Sequence, residues 1–237
     1  MSTLLLVRHG QARAFEAESD RLTERGEEQA RAVGEHLVSL GEPFDVVISG
    51  TLTRQRRTLE IVGDRFRAAG VEWPEPILDA AWNEYAADGI LGTLMPALAL
   101  RDPAFAERVQ AFQEASGGPE RNRFFQRMFE RLMAEWERGS ITEPAVESFA
   151  AFHGRVSAAF DELTRAGGNR RIALFTSGGP IGVSVQRVLE APEKTALRLN
   201  WRVKNASFTE FLFSEGRVSL DSFNVVEHLA TPLRTFR

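Results

Sequence analysis

Short apolar runs alternate with stretches of helical spacing along this chain, and that alternation narrows most what it can fold into. Leu4-Leu5-Leu6-Val7 reads as a buried strand. After it, Thr23 is placed to cap a helix whose apolar residues Ala30, Val33, Leu37 and Leu40 share one face and whose stop is Gly41. Val46-Val47-Ile48-Ser49 repeats the strand pattern and leads into a helix over about residues 51–66. A later strand, Arg171-Ile172-Ala173-Leu174-Phe175, runs into Ser177-Gly178-Gly179-Pro180 and a helix over about 180–189. Strands alternating with helices predict a mostly parallel sheet covered on both faces, a three-layer α/β/α architecture. Two β-rich runs, 208–213 and 218–223, flank Ser214-Glu215-Gly216-Arg217 and predict an antiparallel hairpin at the sheet edge.

The segment from about 91 to 147 breaks the alternation with helical sequence. Phe105, Val109 and Phe112 share one face, as do Phe125, Phe129, Leu132 and Trp136, while Arg123, Arg127 and Arg131 form a separate stripe. Gly117-Gly118-Pro119 divides the two stretches. The arginine stripe reads either as a solvated face or as a cap that reaches a substrate. With 237 residues and 43% hydrophobic content the chain is expected to form one domain, 1–237, carrying this helical insertion. A net charge of −4 without a basic stripe argues against nucleic-acid or membrane-surface partners. The absence of cysteine excludes disulfides and thiolate metal sites. A strand that begins almost at the first residue leaves no room for a cleavable leader, and no apolar run approaches the roughly 20 residues of a membrane span. A soluble, cytoplasmic protein is expected; the oligomeric state is open.

The first strand ends abruptly on Arg8-His9-Gly10-Gln11. In open α/β sheets the ligand crevice lies outside the strands' carboxyl ends, so this places a cation and an imidazole where chemistry occurs. Arg8 offers a fork of donors to phosphate oxygens, and His9 can attack phosphorus through one neutral ring nitrogen while a backbone carbonyl holds the other. Gly10 lets the chain turn closely around a ligand.

Arg8-His9-Gly10 after a strand resembles the signature of the histidine phosphatase superfamily, which includes the phosphoglycerate mutases. Two further segments resemble the family as well: Leu22 to Ala30, and Ser49-Gly50-Thr51-Leu52-Thr53-Arg54. The resemblance implies a phosphoglycerate mutase-like fold, a phosphohistidine on His9, and a phosphate site built from Arg8, Gly10, Gln11, Arg54, Ser177 and Gly178. In Trp82-Asn83-Glu84-Tyr85 the residue matching the family's proton donor is Glu84, with Asp79 and Asp88 as nearby alternatives. No metal and no cofactor are implied.

The fourth element departs from the pattern. Where the family has a second histidine before two glycines, this chain has Ser177, so a charged donor to the phosphoryl oxygens is replaced by a neutral hydroxyl. Arg-His-Tyr-Gly, which follows the acid in the mutases, is here Tyr85-Ala86-Ala87-Asp88, and Phe15 stands where a mutase has asparagine. Hydrolysis of a phosphorylated small molecule or phosphoprotein is therefore expected over mutase chemistry. A weakly active or non-catalytic phospho-ligand binder is the alternative. Ser177, Asp221 and His228 also occur in the order of an α/β-hydrolase triad, but the first glycine of the nucleophile elbow is missing. His228 reads as a packing or capping residue, and His36 and His153 as isolated structural or surface residues.

Overall fold

A computed structural model describes residues 1–13, 20–115, 117–165 and 167–236. Phe15 lies outside them. The chain divides into two compact units, Met1–Glu84 with Arg155–Arg237, and Tyr85–Gly154.

The first unit opens with β1 (Ser2–Arg8), α1 (Glu24–Ser39), β2 (Val46–Ser49), α2 (Thr53–Ala68) and β3 (Ile77–Leu78). The second contains α3 (Ala87–Gly89), a π-helical turn over Ile90–Leu94, α4 (Met95–Arg101), α5 (Pro103–Glu114) and α6 (Arg121–Glu137). The division at residue 154 falls within α7 (Phe149–Arg165), after which the first unit resumes with β4 (Arg171–Thr176), α8 (Gly178–Val188), α9 (Thr195–Asn200), β5 (Phe208–Ser214) and β6 (Arg217–Val225).

Six strands form one sheet in the order β3-β2-β4-β1-β5-β6. The pairs β1–β4, β2–β4 and β2–β3 are parallel, while β5 joins β1 antiparallel and carries the β6 hairpin at the edge. Side chains alternate between faces along a strand. Leu5 and Val7 of β1 therefore share a face with Val47, Ala173 and Phe175, and there they meet Val33 and Leu37 of α1 and Leu59, Val62 and Phe66 of α2. Leu4 and Leu6, fully buried, point to the opposite face. Leu4 pairs with Phe211, and Phe160 of α7 sets its ring edge-on to Phe211 with centroids 5.2 Å apart. Helices thus cover both faces, which is why these strands read as unbroken apolar runs.

Helix boundaries follow local chemistry. Thr23 caps α1 by accepting the Gly26 N–H at 3.0 Å, and Gly41, with φ of +69°, turns the chain after it. Helix α2 starts two residues later than its sequence pattern suggests, because its cap comes from elsewhere: Asp20 Oδ2 accepts the Thr53 N–H at 2.7 Å. Helix α8 starts two residues earlier, at Gly178, with Pro180 in a first turn where the missing N–H costs nothing.

In the second unit, which encloses the helical segment expected over 91–147, Phe125, Phe129, Leu132 and Trp136 are all buried along α6. Asp102 caps α5 by accepting the Phe105 N–H at 3.1 Å and also pairs with Arg131 at 3.1 Å. Of the arginine stripe, Arg131 is further paired with Glu135, and Arg123 pairs with Glu120 at 2.9 Å. Among the described residues no helix is long and apolar enough to cross a membrane.

Candidate active site

Because β1, β4 and β2 run parallel in register, Arg8, Thr176 and Ser49 end at one edge of the sheet. The chain leaving β1 is held there by backbone: the His9 N–H donates to the Thr176 carbonyl at 2.9 Å. Gly10 then passes so close to α1 that a Cβ would overlap the Gly26 carbonyl oxygen, and a Cβ on Gly26 would overlap the Gln11 carbonyl oxygen. The Gly10 N–H donates to Thr58 Oγ1 at 3.1 Å and the Gln11 N–H to Gln29 Oε1 at 2.7 Å. Both amides are thereby engaged inside the protein, and these two residues fix the turn rather than present N–H groups to a ligand.

His9 is buried, with 6% of its surface exposed. Its Nδ1 lies 2.7 Å from the Gly10 carbonyl oxygen, which fixes the tautomer with the proton on Nδ1. Nε2 then carries the lone pair, and it accepts from Arg54 Nε at 3.2 Å. Burial, reinforced by the positive charges of Arg54 and Arg8, holds the imidazole well below its ordinary range, while the Gly10 hydrogen bond opposes the shift. At neutral pH the ring is uncharged, with its lone pair on Nε2.

Arg54, on the first turn of α2, divides its guanidinium between two groups. Nε reaches His9, and Nη1 pairs with Asp20 Oδ1 at 2.7 Å. Asp20 therefore places a carboxylate against both Arg54 and the amide of Thr53, where an anion is favoured by the helix N-terminus. Arg8 directs Nη1 to the carbonyls of Val203 and, at 3.1 Å, Phe236, which ties the strand tip to the C-terminal segment.

Glu84 follows a 3₁₀ turn, Ala80–Trp82, that several elements anchor. Asp79 accepts the Ala81 N–H at 2.8 Å, so this acid is a cap. Arg155 Nη1 donates to the carbonyls of Ala80, Ala81 and Asn83 at 3.2, 2.9 and 3.2 Å. Thr176 Oγ1 donates to the Trp82 carbonyl at 2.7 Å. Glu84 Oε2 accepts the Gly179 N–H at 2.9 Å at the start of α8. Asp88 belongs to the second unit.

Ser177 and Gln55 are both fully buried. Gln55 Nε2 donates to Ser177 Oγ at 2.9 Å and to the Trp82 carbonyl at 3.1 Å. Gly178 follows Ser177 as the first residue of α8. The hydrolase-type triad is contradicted: His228 Nε2 lies 2.9 Å from the Ala206 carbonyl oxygen and its ring stacks on Phe208, so among the described residues Ser177 makes no bond to His228. His36 joins that stack, with centroids 5.5 Å from His228, and His153 lies against Phe149.

The strand tips thus bring together His9 with Arg54 and Glu84 with the α8 N-terminus. Sequence reasoning missed Asp20, Gln55, Asn83 and Arg155. Asp20 and Gln55 carry no spacing signal, since their partners lie 34 and 122 residues away. Asn83, inside the quoted motif, clamps Thr51 by accepting its N–H and donating to its hydroxyl, both at 2.7 Å.

Comparison with known proteins bears on the family and the fold. A probable phosphoglycerate mutase of Erwinia tasmaniensis is 28% identical over 215 residues, covering 88% of this chain and 84% of the relative. Bacillus stearothermophilus YhfR is similar in structure, with a TM-score of 0.64, 19% identity and coverage of 96% of this chain and 99% of that one. A phosphoserine phosphatase variant from Entamoeba histolytica in complex with phosphoserine gives a TM-score of 0.62, 20% identity and coverage of 97% and 100%. At such identities the two structures speak to the fold alone. Residues 4–128 and 106–226 match the histidine phosphatase superfamily, branch 1. Matched over most of its length, the chain belongs to that superfamily.

Proposed function

We propose that this protein hydrolyses a phosphomonoester through a phosphohistidine on His9. The observation that carries the reading is the state of the imidazole: Nδ1 engaged by the Gly10 carbonyl, Nε2 unprotonated against Arg54, and the ring kept neutral by burial and two guanidinium groups. A substrate phosphoryl group competes with Asp20 for Arg54. As Arg54 turns onto phosphoryl oxygens it uncovers the Nε2 lone pair, so binding and activation of the nucleophile coincide. Arg8 adds positive charge close enough to act on His9.

Nε2 attacks phosphorus, the ester P–O bond breaks, and protonated Glu84 gives its proton to the departing oxygen. Water then attacks the phosphohistidine, the P–N bond breaks, and the Glu84 carboxylate takes the water's proton, which restores both groups and releases phosphate. The Gly179 N–H bonded to Glu84 Oε2 orients the carboxyl for both steps. Ser177 supplies the neutral donor of the pocket.

Hydrolysis is preferred to mutase chemistry because a mutase must hold the released acceptor for re-attack, and Tyr85-Ala86-Ala87-Asp88 replaces the residues that follow the acid in mutases. Ser177 in place of a histidine favours the second reading, a phospho-ligand binder with little turnover. Release of inorganic phosphate from a panel of phosphorylated metabolites and phosphopeptides separates the two. Wild-type release that His9→Ala abolishes supports hydrolysis; binding without release supports the second reading.

A further inference from the structure

Serine is among the best helix N-caps, and Ser177 occupies the N-cap of α8, yet its hydroxyl makes no capping bond. Glu84 has taken that role through the Gly179 N–H. The hydroxyl meets Gln55 instead. Which way the Gln55 amide points is fixed by its other partners. Its Oε1 accepts the Leu52 N–H at 3.2 Å and its Nε2 donates to the Trp82 carbonyl at 3.1 Å, an acceptor that only an N–H can satisfy. The second Nε2 hydrogen therefore goes to Ser177 Oγ, at 2.9 Å. Ser177 is the acceptor in that bond, and its own proton takes no acceptor among the described residues. A fully buried hydroxyl left with an unused donor points to a ligand acceptor.

The neighbourhood identifies that acceptor's chemistry. Ser177 directly follows Thr176, whose carbonyl receives the His9 N–H, and Gln55 directly follows Arg54, whose Nε rests on His9 Nε2. Two consecutive side chains of α2 thus serve the nucleophile and the serine. We infer that Gln55 is a positioning residue that holds Ser177 as an obligate hydrogen-bond donor to a phosphoryl oxygen, the pair together standing in for a charged donor. This rests on the reading of the strand-tip pocket as a phosphate site. It implies a site whose donor at this position is neutral at every working pH.

The test is a double-mutant cycle read by binding of orthovanadate and of inorganic phosphate, which needs no turnover. Ser177→Ala and Gln55→Met should each weaken vanadate about three- to tenfold, the worth of one neutral hydrogen bond. The double variant should be no weaker than about twofold beyond the worse single, because without Gln55 the serine hydroxyl is no longer held toward the phosphoryl oxygen and its donor is already lost. A Gln55 that only supports the fold would lower the melting temperature while its effect on vanadate multiplied with that of Ser177→Ala. Multiplying losses, or vanadate affinity unchanged in Gln55→Met, overturn the assignment. If Gln55→Met does not fold, Gln55→Asn replaces it in the cycle: the shorter, uncharged amide no longer reaches Ser177, so the same loss and the same coupling to Ser177 are expected. No binding of either anion by the wild type overturns the pocket reading and this assignment with it. A coupled cycle in a protein that forms no phosphohistidine leaves the positioning role standing and removes the hydrolytic one.

Discussion

At the scale of single residues, the site works by opposing preferences held in one place. Burial and two arginines deprive His9 of its proton, while the Gly10 carbonyl decides which nitrogen keeps the remaining one. Glu84 is bound through one oxygen by the Gly179 N–H, and under the proposed mechanism that bond would hold its carboxyl in a fixed geometry. Glu84→Gln should therefore slow alkyl phosphates by about 10²-fold or more while nitrophenyl phosphate, whose leaving group needs little protonation, loses far less. Equal losses in steady-state kcat for both esters would move the acid elsewhere. Asp20 places a carboxylate on Arg54 and the α2 amide, so under the proposed function it would compete with incoming phosphate. Asp20→Asn keeps a cap acceptor but removes the charge, and should tighten phosphate binding about two- to fivefold in calorimetric titration at low salt. Weaker binding would make Asp20 an organiser of Arg54 instead.

At the scale of elements, parallel strands deliver their tips to one edge, and Arg54 and Gln55 of the first turn of α2 reach the residues that follow β1 and β4. Strands β1, β2 and β4 and helix α1 were legible because burial on both faces gives unbroken apolar runs and because Thr23 and Gly41 cap α1 from within its own sequence. The starts of α2 and α8 were not, because Asp20 and Glu84 cap them from distant positions. The same distance hid Gln55. Its amide fills the space beside Ser177, both residues being fully buried, so an imidazole at 177 has no room while Gln55 is present. Ser177→His alone should lose stability and gain no activity. Combined with Gln55→Ala, it should raise kcat about tenfold or more by adding a charged donor. A gain from the single change, measured on one phosphomonoester, would show that Gln55 does not fill the pocket.

At the scale of the molecule, the sheet order and the clustering of His9, Arg54, Glu84 and Ser177 at the tips follow from alternation plus strand polarity, and the Arg8-His9-Gly10 motif marks where to look. What remained illegible is long-range hydrogen bonding, because a buried amide such as Gln55 leaves no periodic trace in sequence. One whole-molecule property follows from a residue outside the site. His228, clustered with Phe208 and His36, is pushed down to about 4 chiefly by burial, with His36 and Arg234 adding to the shift and the Ala206 bond and Glu227 opposing it. Above the ordinary imidazole range His228 is neutral folded and unfolded, so its contribution is intact; as pH falls from about 6.5 to 4 the unfolded chain takes up the proton first and stability drops. Allowing for partial exposure, the loss is about 1–2 kcal/mol. His228→Phe should flatten that part of the stability profile in urea melts across pH; an unchanged slope would assign it to His9. The central claim is tested most directly by rapid quench. Wild-type protein mixed with a radiolabelled phosphomonoester and stopped in base should carry label as an acid-labile, base-stable phosphohistidine in the peptide containing Arg8-His9-Gly10, and His9→Ala should carry none. Phosphate release with no labelled enzyme, or full hydrolysis by a folded His9→Ala, would contradict it.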